Sequence, residues 1–266
     1  MIKIKKYHLF HLVNPSPWPI VTSFSIFIML VGLTLYMHNL TYGLFILVFG
    51  VLVVLFSMYL WWKDVIREGL YEGFHTQIVK QGLRYGMLLF ILSELMFFFA
   101  FFWAFFHSSL SPSIEIGAKW PPSGIQTINC WSIPLVNTIL LLLSGSSITW
   151  SHHALLANKQ SDSTKGLIVT IFLGIIFTAL QLYEYFEANF TISDGVYGST
   201  FYMATGFHGL HVIVGTIFLI VCLFRQLNKH FTADGHVGFE CAIWYWHFVD
   251  IIWLFLFFSV YCWGNS

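Results

Sequence analysis

The stretch LRYGMLLFILSELMFFFAFFWAFF, from Leu83 to Phe106, decides the architecture of this chain. Its only charged side chains are Arg84, near one end, and Glu94, in the interior. A helix crosses the roughly 30 Å hydrocarbon core of a bilayer with about 20 mostly apolar residues. Because the apolar residues here are continuous rather than alternating, the pattern does not fit a strand of a membrane barrel. The stretch therefore predicts a transmembrane α-helix.

Six further stretches have the same character. They are Ile20–Tyr36, Leu44–Trp62, Ile133–Trp150, Leu167–Phe186, Phe201–Phe224 and Ala242–Trp263. Each of them is long and apolar enough to span a bilayer as a helix. Together with the first stretch they predict an all-α, polytopic membrane protein with seven transmembrane helices.

The composition agrees with this class. Hydrophobic residues make up 58% of the 266 residues and charged residues only 9%, whereas soluble domains have about 45–50% and about 25%. Twelve Lys and Arg balance twelve Asp and Glu, which leaves no excess of positive charge to bind nucleic acid. The four cysteines are far apart in the sequence and show no zinc-binding spacing.

The basic residues predict the orientation in the membrane. With seven spans, eleven of the twelve fall on one side: Lys3, Lys5, Lys6, Lys63, Arg67, Lys80, Arg84, Lys159, Lys165, Arg225 and Lys229. The other side has only Lys119. By the positive-inside rule, we expect the N-terminus on the basic side, from which the chain inserts, and the C-terminus opposite.

The segment 63–82 carries charges of both signs and follows the second span. It predicts a division within the single membrane domain, 1–266. A first two-helix sub-bundle would occupy 1–62, a charged interfacial linker 63–82, and a five-helix sub-bundle 83–266.

Glu94 is the clearest functional candidate, because ionisable groups inside a membrane are costly. It lies ten residues after Arg84 and thirteen before His107, which places it roughly 15 Å and 20 Å along the helix from those flanks. Two interpretations remain open. The carboxyl either carries a proton or contacts a bound polar molecule, or it is protonated and hydrogen-bonded to a neighbouring helix.

Two pairs of polar residues lie three apart in the last two spans. His208 and His211 share one face of the sixth span, and His247 and Asp250 repeat the spacing in the seventh. Metal or haem ligation would need a defined ligand set on facing helices. The alternative is a buried polar network, in which each side chain finds a hydrogen-bond partner on a neighbouring helix.

The interface after the second span has the composition of a phospholipid site. Tryptophans are followed by spaced basic and acidic residues, namely Trp61, Trp62, Lys63, Asp64, Arg67, Glu68, Glu72, His75, Lys80 and Arg84. Arg225 and Lys229 lie on the same predicted side and could complete such a site. Ordinary positive-inside anchoring explains the cations equally well. At the opposite side, Glu184 and Glu187 are expected to solvate the end of the fifth span, although they could instead gather cations or face a partner.

Several segments resemble the cytochrome c oxidase subunit III family. They are His11–Pro19 (HLVNPSPWP), Trp61–Glu68 (WWKDVIRE), Gly82–Met87 (GLRYGM), Phe102–Ser109 (FWAFFHSS), Ser147–His153 (SITWSHH), Phe190–Phe201 (FTISDGVYGSTF) and the histidine segments of the last two spans. The resemblance follows the family's order from residue 8 to the C-terminus. Spans one and two and the loops around 111–132 and 156–165 diverge from the family.

The resemblance implies a subunit of the mitochondrial-type haem-copper oxidase, an enzyme that passes electrons from cytochrome c to oxygen and pumps protons. The family implies seven helices in a V of two against five, with anionic or zwitterionic phospholipid in the cleft. It implies no metal or redox cofactor on this chain, with haem and copper in subunits I and II, and accessory subunits as further partners. It implies the inner mitochondrial membrane, with the N-terminus in the matrix and the C-terminus in the intermembrane space.

The residues that the resemblance carries over are a subset of those named above. Glu94 corresponds to the membrane glutamic acid of the family and would line the cleft. Lipid contacts are implied for Trp62, Arg67, His75 and Arg225, and less directly for Glu68 and Lys229. The implied role is to pack on subunit I, to support proton uptake there and to keep turnover stable.

Two other functions remain as alternatives. A redox-active membrane cytochrome would use His208, His211 and His247 as ligands. A stand-alone transporter would move protons or solute with Glu94 and Asp250. These two classes predict, respectively, a haem or copper absorption band and transport activity in liposomes.

Overall fold

The structure is a computed structural model, which describes residues 8–265, and within that range every long element is a helix. The helices are α1 (Trp18–Met37), α2 (Gly43–Leu70), α3 (Gln77–Leu110), α4 (Ile133–Leu156), α5 (Gln160–Glu187), α6 (Gly195–Leu227) and α7 (Val237–Leu256). A π-helical turn, Phe257–Cys262, and a 3-10 turn, Trp263–Asn265, continue α7, and another 3-10 turn, Ile114–Ile116, lies between α3 and α4.

Seven helices of the described chain are long and apolar enough to cross a membrane. The prediction of an all-α polytopic protein is therefore confirmed. Lys3, Lys5 and Lys6, which contribute to the predicted orientation, lie outside the described residues.

The helices extend beyond the apolar stretches that predict them. α2 continues to Leu70 and α3 begins at Gln77, so most of the segment 63–82 is helical. A helix satisfies its own backbone hydrogen bonds, and polar residues can therefore continue it past the hydrocarbon core. The break comes at 71–76, where Gly73 has φ 66°, a conformation that glycine adopts without steric cost.

The chain divides into two compact units between Leu83 and Arg84, within α3. In the first unit, α1 and α2 approach closely at three glycines. An ideal Cβ at Gly32 would lie 2.3 Å from the backbone nitrogen of Leu47, and Gly43 and Gly50 meet the other helix's backbone in the same way. Because glycine has no Cβ, the two backbones can approach this closely, and helix association in lipid depends on such close packing.

The core of the second unit is aromatic and lies among α4, α5, α6 and α7. Trp246 is 1% exposed, and its indole N–H donates to the Ser144 hydroxyl at 2.8 Å. Gly174 on α5 and Gly215 on α6 leave the space for this ring, since a Cβ at either position would meet it at 2.7 Å and 3.0 Å. Trp253, about two turns further along the same face of α7, likewise donates to a hydroxyl on α4. These hydrogen bonds satisfy the polar atoms of large buried rings.

Candidate functional site

Glu94 on α3 and His211 on α6 are in direct contact. The Nε2 atom of His211 lies 2.8 Å from Oε2 of Glu94. The other ring nitrogen, Nδ1, lies 2.6 Å from the carbonyl oxygen of Phe207 on the same helix, and the ring packs edge-on against Phe98 at 5.0 Å. The carboxyl thus has a hydrogen-bond partner on a neighbouring helix.

The positions of these atoms determine how the pair holds a proton. Because Nδ1 faces a carbonyl oxygen, it carries a hydrogen that it donates there. A hydrogen bond between Nε2 and the carboxyl then requires one further proton, on either the ring or Glu94. The two side chains are 10% and 23% exposed, respectively, so the shared proton lies near the surface of this unit rather than deep inside it.

His208 has a different partner, although it lies on the same helical face as His211. It is fully buried, and its Nε2 lies 3.1 Å from the carbonyl oxygen of Val249 on α7. The ring packs against Trp253, with centroids 5.2 Å apart. The two histidines therefore connect α6 to two different helices, α7 and α3, and do not converge on one ligand.

His247 and Asp250 lie on a groove between α4 and α7. The groove is also lined by Gly145 and Thr149, and the Thr149 hydroxyl lies 3.4 Å from Nε2 of His247. Asp250 is 8% exposed, and its Oδ1 has no hydrogen-bond partner within residues 8–265. Most buried polar atoms are hydrogen-bonded, so this oxygen departs from the predicted buried polar network.

The predicted lipid ligands fall into both units. In the first, Trp62 is 57% exposed and the guanidinium of Arg67 pairs with Glu72 at 3.1 Å. Glu68 lies 3.9 Å from the imidazole of His11, and one ligand atom each of His11, Glu68 and His75 lies within 4.8 Å of the others. Trp62, Arg67, Glu68 and His75 therefore occupy one end of α2 and the turn that follows it.

The other two predicted lipid ligands belong to the second unit. The guanidinium of Arg225, at the end of α6, lies 4.4 Å above the ring of Phe231, and its Nη1 atom would lie 2.7 Å from a Cβ added at Gly238. Lys229 follows the helix in a left-handed conformation, with φ 55°. The two cations lie at the same end of α6.

The expectation for Glu184 is wrong. It is 2% exposed, and its Oε1 accepts hydrogen bonds from the hydroxyl of Tyr261 at 2.6 Å and from the amide of Gln181 at 3.1 Å. The turns that continue α7 cover the end of α5, and they place the tyrosine over a carboxyl that would otherwise face water.

A second polar cluster, which the sequence did not predict, joins α3, α4 and α7. Arg84 donates to both oxygens of Glu240, at 2.7 Å and 3.0 Å. His236 lies 3.3 Å from the same carboxylate and 3.2 Å from the ring of His152. The available signal was the four-residue spacing of His236 and Glu240, which places them on one helical face.

The fold and these contacts define a class: a multi-pass α-helical membrane protein with a carboxyl–imidazole pair and several other polar contacts between its helices. A family model described as cytochrome c oxidase subunit III matches residues 8–265. The chain belongs to the cytochrome c oxidase subunit III family, whose members are subunits of an oxidoreductase complex.

Curated relatives agree over the full length. Cytochrome c oxidase subunit 3 of Prototheca wickerhamii is 61% identical, over 97% of this chain and 99% of the relative. The protein of the same name from Marchantia polymorpha is 56% identical over 100% of both chains. The one from Mus musculus is 57% identical over 97% and 98%. These matches favour the oxidase subunit over the stand-alone cytochrome and the transporter.

Proposed function

We propose that this chain is a non-redox core subunit of cytochrome c oxidase. It packs on subunit I, binds phospholipid and supports proton uptake and stable turnover while electrons pass from cytochrome c to oxygen and protons are pumped. The proton-uptake role rests on the 2.8 Å contact between Glu94 and His211, because carboxyl and imidazole side chains are the groups that most often transfer protons in enzymes.

The position of Glu94 supports this role. The residue lies near the middle of the apolar part of α3, where a carboxyl is costly unless it is used or paired. Its side chain is 23% exposed, so a group outside this chain can reach it. A proton held there lies close to the surface that faces lipid or a partner subunit.

Phospholipid binding follows from the chemistry at the membrane interface. Arg67, His75, Arg225 and Lys229 would attract the phosphate of a headgroup, and Trp62 has the amphipathic ring favoured at that depth. Glu68 would face the ammonium group of a zwitterionic lipid. We therefore propose anionic and zwitterionic phospholipids as ligands of these residues.

The remaining partners follow from the family. We propose contacts with subunits I and II, which would hold the haem and copper, and with accessory subunits. The location is the inner mitochondrial membrane. The eleven cations on one side favour an N-terminus in the matrix and a C-terminus in the intermembrane space.

The test is a Glu94→Gln variant of the intact oxidase. Glutamine keeps the size of the side chain and can donate to Nε2 of His211, but it cannot ionise. We expect a folded complex with altered lipid occupancy or a shorter active lifetime during turnover, measured by lipid mass spectrometry and oxygen uptake.

The matched control is Ser93→Ala. Ser93 neighbours Glu94, and its hydroxyl donates to the Phe90 carbonyl of its own helix at 2.6 Å, so this change should leave both readouts unaltered. If Glu94→Gln also leaves lipid occupancy and turnover lifetime unchanged, the proposed role of Glu94 is wrong.

A further inference from the structure

Three potential metal ligands meet where α4 ends and α7 begins. His152 lies in the last turns of α4, His236 is the residue immediately before α7, and Glu240 lies in the first turn of α7. One ligand atom from each lies within 4.8 Å of the other two. The cluster belongs entirely to the second unit, and it contains none of the residues of the proposed proton and lipid sites.

The distances suit a small divalent cation. Zinc binds imidazole nitrogen at about 2.0–2.1 Å and carboxylate oxygen at about 2.0–2.2 Å, so neighbouring ligand atoms of a tetrahedral site are about 3.3 Å apart. The two nitrogens of His152 and His236 are 3.2 Å apart. The second nitrogen and the carboxylate oxygen of Glu240 are 3.3 Å apart. Two edges of the tetrahedron are therefore already in place.

The tautomer of His236 directs a lone pair toward the other two ligands. Its Nδ1 lies 2.9 Å from the carbonyl oxygen of Thr232, to which it donates its hydrogen. In the neutral ring, Nε2 then has no hydrogen and faces the negatively charged carboxylate. A cation between them converts this repulsion into attraction. The carbonyl also orients the ring, as such partners do for metal-bound histidines.

Access and charge set the expected strength of binding. The side chains of His236 and Glu240 are 5% and 14% exposed, so the cluster lies beneath the surface but is not sealed. Arg84 already pairs with both carboxylate oxygens. It neutralises Glu240 and competes with a cation, and the site should therefore bind reversibly rather than hold a permanent structural ion.

We propose that His152, His236 and Glu240 form a reversible binding site for a divalent transition-metal ion with the ligand preferences of Zn²⁺. Two imidazoles and one carboxylate are a recurrent zinc ligand set, and water would take the fourth position. The bound ion would connect the end of α4 to the start of α7.

The experiment measures zinc binding to the intact oxidase complex that contains this chain. After treatment with a chelator, the complex is dialysed against radioactive Zn²⁺ at buffered free concentrations. We expect His152→Gln and His236→Gln each to weaken one zinc site by at least about 100-fold, because loss of an outer-shell partner alone costs about 10–100-fold.

His153→Gln is the matched control, because His153 lies next to His152 at the same helix end but is not one of the three ligands. It should bind zinc as the unaltered complex does. Equal zinc affinity and stoichiometry in the unaltered complex and in both ligand variants would overturn the proposal, as would equal weakening by His153→Gln. His152 is half-buried, so its variant is expected to assemble even if His236→Gln does not.

Discussion

The close approach of α1 and α2 makes Gly32→Ala the sharpest test of the packing. An added Cβ at Gly32 would lie 2.3 Å from the backbone nitrogen and 2.6 Å from the Cα of Leu47. Ordinary van der Waals contact begins at 3.4 Å. To remove the clash, α1 and α2 would have to move apart locally by about 1 Å. The obstacle is backbone, and no side-chain rotation can remove it.

The magnitude follows from two opposing effects. Overpacking of a well-packed interface destabilises it by about 1–3 kcal/mol. The higher helix propensity of alanine offsets up to about 1 kcal/mol of this destabilisation. Lipid supplies no hydrophobic force to restore the contact once the helices separate. With the full offset, we therefore expect a net loss of up to about 2 kcal/mol in the stability of the helix pair.

The assay is thermal dissociation of the purified oxidase in mild detergent, followed by native electrophoresis. Gly32→Ala should lower the midpoint, and Gly50→Ala should do the same because its Cβ would meet the Cα of Met29 at 2.6 Å. Gly86→Ala is the matched control, since nothing lies within 4 Å of its added Cβ. Equal midpoints for Gly32→Ala and Gly86→Ala would refute the close-packing argument.

Two further substitutions test the buried hydrogen bonds of the second unit by the same thermal assay. Trp246→Phe removes the donor to the Ser144 hydroxyl and leaves a cavity, and we expect a loss of about 2–4 kcal/mol; an unchanged midpoint would contradict this packing. Tyr261→Phe removes the 2.6 Å hydrogen bond to Glu184 and leaves only that from Gln181. It should cost about 1–3 kcal/mol, and a loss no larger than that of a surface Tyr183→Phe control would count against a structural role for the pair.

The helices could be predicted from the sequence because lipid leaves few alternatives. In the stretch 83–106, no water is available to the backbone, so a continuous apolar run must satisfy its hydrogen bonds internally as a helix. The ends were less predictable, since α2 continues to Leu70 through charged residues that hydropathy assigns to a linker.

The candidate site was only partly predictable. Glu94 could be identified because a carboxyl in the middle of an apolar span is costly however the helices pack. The partners were not identifiable: His208 and His211 share a helical face, yet one bonds to α7 and the other to α3. Which residue meets which depends on the rotation of each helix and on its neighbours.

The sequence by itself determined the class of this protein, its seven helices, the position of Glu94 near the middle of the third span and, by resemblance, its family. Only the tertiary structure decided that His211 pairs with Glu94, that Glu184 is buried beneath Tyr261, and that His152 meets His236. The physical reason is the separation along the chain over which each interaction acts. Hydropathy and backbone hydrogen bonding act within a single segment, whereas these contacts join positions between 77 and 117 residues apart and form only when the helices pack.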